Sequence, residues 1–122
     1  MARILVVDDS RTSRLMLKGI LERSGHTVIG EAVNGREGYE QYEKLKPDVV
    51  TMDITMPVMD GIDSLRMIKK LDPEARVVML TAAGQKEKMM EAVKLGAQEF
   101  VTKPLAEDAV MDAIARVTQD VQ

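Results

Sequence analysis

The 122-residue chain contains no cysteine and no tryptophan. Without cysteine there is no disulfide framework, no thiolate metal site and no cysteine nucleophile. The absence fits a reducing cytoplasm, where the chain is expected to work. Its aromatics are Tyr39, Tyr42 and Phe100 alone. A site that sandwiches a flat cofactor or stacks bases has almost nothing to build with. Long apolar runs are also missing. Ile4-Leu5-Val6-Val7 and Val77-Val78-Met79-Leu80 are far shorter than the roughly 20 residues a membrane helix needs. The run that follows Met1-Ala2-Arg3 ends at Asp8. It falls short of the apolar region of about 7–15 residues in a signal peptide. No strong positive charge is present either. The formal net charge is −3, which argues against a general nucleic-acid binder.

What is there reads as a single globular domain. Hydrophobic residues make up 45% and charged residues 30% of the chain, the balance of an ordinary soluble fold. Ten methionines serve as adaptable core filler in place of aromatics. Short apolar runs at Ile4–Val7, Val28–Val33, Val49–Met52, Val77–Leu80 and Phe100–Val101 alternate with stretches of helical spacing. Val110, Ile114, Val117 and Val121 recur on one helix face, as do Gly38, Tyr42 and Leu45. Asn34 and Glu37 form a capping-box pattern. Gly25 and Gly96 stand where helices end in a left-handed residue, and Asp72-Pro73 closes the third helix. Five strands alternating with five helices predict an α/β fold with a parallel sheet. Strand two is the least apolar and suits an edge. No linker or repeat divides residues 1–122, and no output domain is expected after the fifth helix.

In such a sheet, ligands bind beyond the carboxyl ends of the strands. Asp8, Asp9 and Ser10 follow strand one, Asp53 ends strand three, Thr81-Ala82 follows strand four and Thr102-Lys103-Pro104 follows strand five. An aspartate at a strand end is commonly a turn former, and a rim lysine is commonly just solvated. The constellation says more. Two unit charges about 4 Å apart repel by roughly 4 kcal/mol at an effective dielectric of about 20. Three gathered carboxylates therefore call for a cation. An all-oxygen set suits Mg²⁺. The lysine and the threonine beside it suit phosphoryl oxygens. The same crowding predicts a raised carboxylate pKa. It also predicts a gain in metal-free stability when either Asp8 or Asp9 is neutralised.

The segments Ile4–Ser10, Asp48–Gly61, Leu80–Ala82 and Phe100–Pro104, in this order and spacing, resemble the response-regulator receiver family. They resemble in particular the stand-alone chemotaxis regulators of the CheY type. The resemblance covers essentially the whole chain. It implies a flavodoxin-like doubly wound sheet of five parallel strands in the order 2-1-3-4-5, with five helices. It implies that Asp53 accepts a phosphoryl group from a sensor histidine kinase with Mg²⁺. Asp8, Asp9, Asp53 and the Thr55 backbone carbonyl would surround the metal, Asp8 largely through water. Lys103, the Thr81 hydroxyl and the Ala82 amide would hold the phosphoryl oxygens. Thr81 and Phe100 would form the switch, and the Lys103-Pro104 bond would be cis. The family members are signalling proteins rather than turnover enzymes, catalysing only their own phosphorylation and autodephosphorylation. Output would pass by protein–protein contact to a flagellar motor switch, with a phosphatase resetting the signal. The phosphoryl group could instead travel onward to another histidine in a phosphorelay. The chain is expected to be a monomer, with neither nucleic acid nor membrane as partner.

Three positions depart from the best-known chemotaxis members. Phe100 stands in place of Tyr, Thr55 in place of Asn and Ala83 in place of Glu. The lifetime of the phosphorylated state is therefore not carried over. Two other functions fit less well. A flavin or nucleotide carrier would want a phosphate-cradling glycine loop after strand one, where Asp8-Asp9 stands instead. A haloacid-dehalogenase-like phosphatase would have its nucleophile after the first strand. His26 is expected to be an exposed turn residue, and Lys86-Glu87-Lys88 a solvated first helical turn.

Overall fold

The computed structural model describes residues 1–121. The strands are β1 (Arg3–Val7), β2 (Thr27–Ala32), β3 (Val49–Asp53), β4 (Val77–Thr81) and β5 (Glu99–Thr102). The helices are α1 (Arg11–Arg23), α2 (Gly35–Leu45), α3 (Gly61–Leu71), α4 (Lys86–Lys94) and α5 (Glu107–Val117). All strand pairings are parallel and the sheet order is β2-β1-β3-β4-β5. The flavodoxin-like arrangement expected from the sequence is therefore present. β3 and β4 are buried at every position, because helices cover both faces of the sheet. Alternate residues divide between two cores. Leu5, Val7, Val50, Met52 and Met79 meet Tyr42, Ile62, Leu65, Ile68 and Ala92 of α2, α3 and α4. Ile4, Val6, Val49, Val78 and Leu80 meet Leu17, Ile20 and Leu21 of α1 and Val110 and Ile114 of α5.

The punctuation of the chain is physical. Gly25 and Gly96 adopt φ of +88° and +98° just past α1 and α4, the left-handed region that glycine enters without a Cβ penalty. Asn34 caps α2 by accepting the Glu37 N–H at 2.8 Å. Glu37 reaches back to the N–H of Val33, one residue earlier than a standard capping box places it. α5 ends at Val117, so Val121 lies beyond the helix its spacing predicts, though it still packs on the second core. His26 is not the exposed residue expected. It is half-buried, and its Nδ1 accepts the Ala2 N–H at 3.0 Å. Burial, and then the nearby N-terminal charge, lower its pKa. Among the described residues no helix is long and apolar enough to cross a membrane.

Candidate functional site

The order reversal in the sheet lies between β1, with β2 on one side, and β3 on the other. The carboxyl ends of these strands open a crevice there. Asp8 directly follows β1 and is fully buried; Asp9 beside it is exposed. Asp8 is held on several sides. Its backbone N–H donates to the Ala32 carbonyl, its Oδ1 accepts the Ser10 N–H at 2.8 Å, and its carbonyl accepts from Arg14 Nη1 at 2.8 Å. Ser10 in turn caps α1 by accepting the Ser13 N–H. Asp53 ends β3 and is 6% exposed. Lys103 follows β5, and its backbone N–H donates to the Thr81 carbonyl at the end of β4.

The sheet brings these groups together. Asp8, Asp9 and Asp53 each offer a carboxylate oxygen, all within 4.8 Å of one another. Lys103 Nζ donates to Asp8 Oδ2 at 3.2 Å and lies 3.3 Å from Asp53 Oδ1. One ammonium therefore contacts two of the three clustered carboxylates, Asp8 and Asp53. Burial pushes the Asp53 carboxyl up to about 6, reinforced by the Asp8 charge and opposed by Lys103. Burial works against the Lys103 ammonium, but Asp53 and Asp8 outweigh it and its pKa is raised. The excess of negative charge and the purely oxygen donor set fit Mg²⁺, a hard cation that takes carboxylates, carbonyls and water.

The loop after Asp53 is tightly folded. Gly61 N–H donates to the Ile54 carbonyl at 2.7 Å, and a Cβ on Gly61 would collide with the Asp53 carbonyl. Val58 has φ +69°, with the Met59 N–H donating to the Pro57 carbonyl across it. For a β-branched residue that conformation costs roughly 1–3 kcal/mol, held five positions beyond Asp53.

Other predicted residues flank this centre. Thr81 is buried, whereas Ala82 and Thr55 are exposed. Phe100 is half-buried and packs on the α2–α3–α4 side of the sheet. The Lys103-Pro104 peptide is cis, as the resemblance implied. Lys88 is not simply solvated: its Nζ lies 3.3 Å from Asp60 Oδ2, the cap of α3. One residue at the site went unnoticed in the sequence. Gln85 Oε1 accepts the Ala82 N–H at 2.6 Å, and its Nε2 donates to Thr55 Oγ1 at 2.6 Å. A lone glutamine before a helix has no pattern that announces such a bridge.

Residues 4–115 match the family model described as response regulator receiver domain. The chain is 48% identical over 117 residues to the chemotaxis protein CheY of Thermotoga maritima, covering 96% of this chain and 98% of that one. It is 47% identical to the chemotaxis protein CheY of Bacillus subtilis, covering 92% of this chain and 93% of that one. Among solved structures it is similar to a CheX–CheY–BeF₃–Mg²⁺ complex from Borrelia burgdorferi. The TM-score is 0.90 at 36% identity, covering 94% of this chain and 87% of that one. With its order 2-1-3-4-5 sheet and acidic rim, this chain belongs to the response regulator receiver family of two-component signalling proteins.

Proposed function

We propose that residues 1–122 act as a single, phosphorylation-activated chemotaxis switch that accepts a phosphoryl group on Asp53 from a sensor histidine kinase. The observation that supports this most directly is Lys103 Nζ standing between Asp8 and Asp53, with Asp9 closing the acidic cluster. An Asp53 carboxylate oxygen attacks phosphorus. The bond from phosphorus to the donor's imidazole nitrogen breaks, and that nitrogen keeps the electron pair. The carboxylate must be ionised to attack, and with a pKa near 6 it is mostly so at neutral pH.

Asp8, Asp9, Asp53 and the Thr55 carbonyl would hold Mg²⁺. When bound, the metal supplies neutralisation of charge on the phosphoryl oxygens. Lys103 already lies in the cluster and needs only to exchange carboxylate contacts for a phosphoryl oxygen. The Thr81 hydroxyl and the Ala82 N–H hold the other oxygens, and Phe100 follows Thr81 as the switch residue. The phosphorylated face then meets a flagellar motor switch protein in the cytoplasm, and a phosphatase resets it. The curated CheY relatives, matched over nearly their full length, support this output over a phosphorelay.

The test is incubation with acetyl phosphate and Mg²⁺, followed by intact-mass measurement. One added phosphoryl group, labile to base and hydroxylamine and absent from Asp53→Asn, is expected. Equal labelling of Asp53→Asn would overturn the assignment. A pull-down with Asp53 in a beryllofluoride-bound state then separates a motor switch partner from a histidine phosphotransfer partner.

A further inference from the structure

We infer that the Gln85 side-chain amide is a built-in competitor for the phosphoryl pocket, holding the Ala82 N–H until a phosphoryl oxygen displaces it. The inference rests on the reading of Asp53 and Ala82 given above. Gln85 sits at the N-cap position of α4, yet it makes no capping bond there. Its half-buried amide turns outward and joins two loops. The Ala82 N–H lies in the loop after β4, and the Thr55 hydroxyl lies in the loop after β3. Both halves of the amide are used. A backbone N–H can only donate, so the carboxamide oxygen must face Ala82 and the NH₂ must face Thr55. Gly84, at φ +85°, provides the reversal that folds residue 85 back onto residue 82.

A single N–H cannot serve two acceptors well. An ionised phosphoryl oxygen makes a charge-assisted bond roughly twice as strong as a neutral one, so it wins the Ala82 N–H. The Gln85 bond must then be given up, which lowers the apparent affinity for the phosphoryl group. Displacing Gln85 also removes the link to Thr55. α4 buries only Ala92, and its remaining side-chain ties to α3 include Lys88–Asp60 and Arg66–Glu91. Pocket occupancy is thereby felt at the first turn of α4.

The probe is beryllofluoride at saturating Mg²⁺, followed by the Ala82 amide resonance in parent, Gln85→Ala, Thr55→Val and Asp53→Asn. Gln85→Ala should lower the half-saturating beryllofluoride concentration about fivefold, the equivalent of one net hydrogen bond of about 1 kcal/mol. Thr55→Val keeps the backbone carbonyl assigned to the metal and removes the hydroxyl at the far end of the amide; it should shift the half-saturating concentration in the same direction by less. Before beryllofluoride is added, the Ala82 amide proton should exchange faster in Gln85→Ala than in the parent. At saturation the two Ala82 resonances should coincide. If the parent responds, Asp53→Asn does not, and Gln85→Ala binds beryllofluoride no more tightly than the parent, Gln85 is not a competitor while the Asp53 reading stands. If the parent itself fails to bind beryllofluoride, the Asp53 reading falls and the inference falls with it.

Discussion

Lys103 Nζ lies 3.3 Å from Asp53 Oδ1 in the unmodified protein. Its side chain is 24% exposed, and it also meets the fully buried Asp8. The sequence alone assigns this lysine to the phosphoryl group. The structure gives it a prior duty, neutralising two buried carboxylates before any phosphoryl group arrives. Lys103→Met removes the charge and keeps the stem. We expect the Asp53 pKa to rise further, because Lys103 opposes the upward shift. Breaking a buried pair can cost about 3–5 kcal/mol; for this partly exposed lysine a loss of about 1–3 kcal/mol is expected at neutral pH. Carboxyl carbon NMR titration and urea unfolding check both. An Asp53 titration unchanged from the parent would sever the link.

Asp53 also fixes a pH dependence. Its folded pKa of about 6 stands above the ordinary aspartate value of 3.8. Between these values the folded state holds the proton more tightly than the unfolded chain. The shift therefore destabilises the metal-free protein fully above about pH 6. The penalty is relieved as pH falls through the folded pKa. Two pKa units correspond to roughly 3 kcal/mol. Metal-free protein should gain stability from pH 7.5 towards pH 5, and Asp53→Asn should remove most of that gain. A parent whose chelator-treated urea midpoint only falls across this range would contradict the reading.

Thr51 gives a prediction independent of the site. It lies on β3 at 1% exposure, and its Oγ1 has no hydrogen-bond partner among the described residues. Its side of the sheet is the apolar layer of Ile4, Val6, Val49, Val78 and Leu80. An unpaired buried hydroxyl costs about 1–3 kcal/mol. Thr51→Val keeps the shape and removes the cost, so it should stabilise the protein by about 1 kcal/mol. A thermal melt would show a rise of a few degrees. A fall would mean that the hydroxyl has a partner in solution.

The strands and the converging rim were legible because each rests on a strong local signal, whereas the sheet order was implied by the family resemblance. β3 and β4 read as unbroken apolar runs, and Gly25 and Gly96 mark helix ends that only a left-handed residue completes. The three aspartates and Lys103 were legible as a set, because a fold of this kind places strand ends side by side. Their mutual arrangement was not. That Asp8 is buried and Asp9 exposed depends on how the chain turns from β1 into α1, and two adjacent aspartates look alike in one dimension. Gln85 was invisible for a similar reason, since its partner Thr55 stands 30 residues away and meets it only by tertiary approach. His26 was misjudged because its partner is the backbone N–H of Ala2, which precedes the adjacent parallel strand and comes beside it only once β1 and β2 pair.

The same asymmetry separates the two members of the acidic pair under magnesium. The sequence treats Asp8 and Asp9 as equivalent sources of repulsion. In the structure Asp8 accepts from Ser10 N–H and Lys103 Nζ, whereas Asp9 is exposed. Neutralising Asp9 removes repulsion and little else. Asp9→Asn should therefore raise the metal-free melting temperature. Asp8→Asn removes repulsion too, but it takes a buried counter-charge from Lys103, so its metal-free melting temperature should fall below that of Asp9→Asn. Magnesium at ten times its dissociation constant should add about 1.4 kcal/mol to the parent, if the unfolded chain does not bind it. For a domain of this size that is a few degrees. Both variants should shrink the increment, since each deletes a carboxylate within reach of the metal. Melts with chelator and with magnesium, on parent and both variants, decide the matter. A parent without a magnesium increment would show that the cluster is not a metal site. Equal metal-free shifts in the two variants would show that Lys103 does not distinguish Asp8 from Asp9.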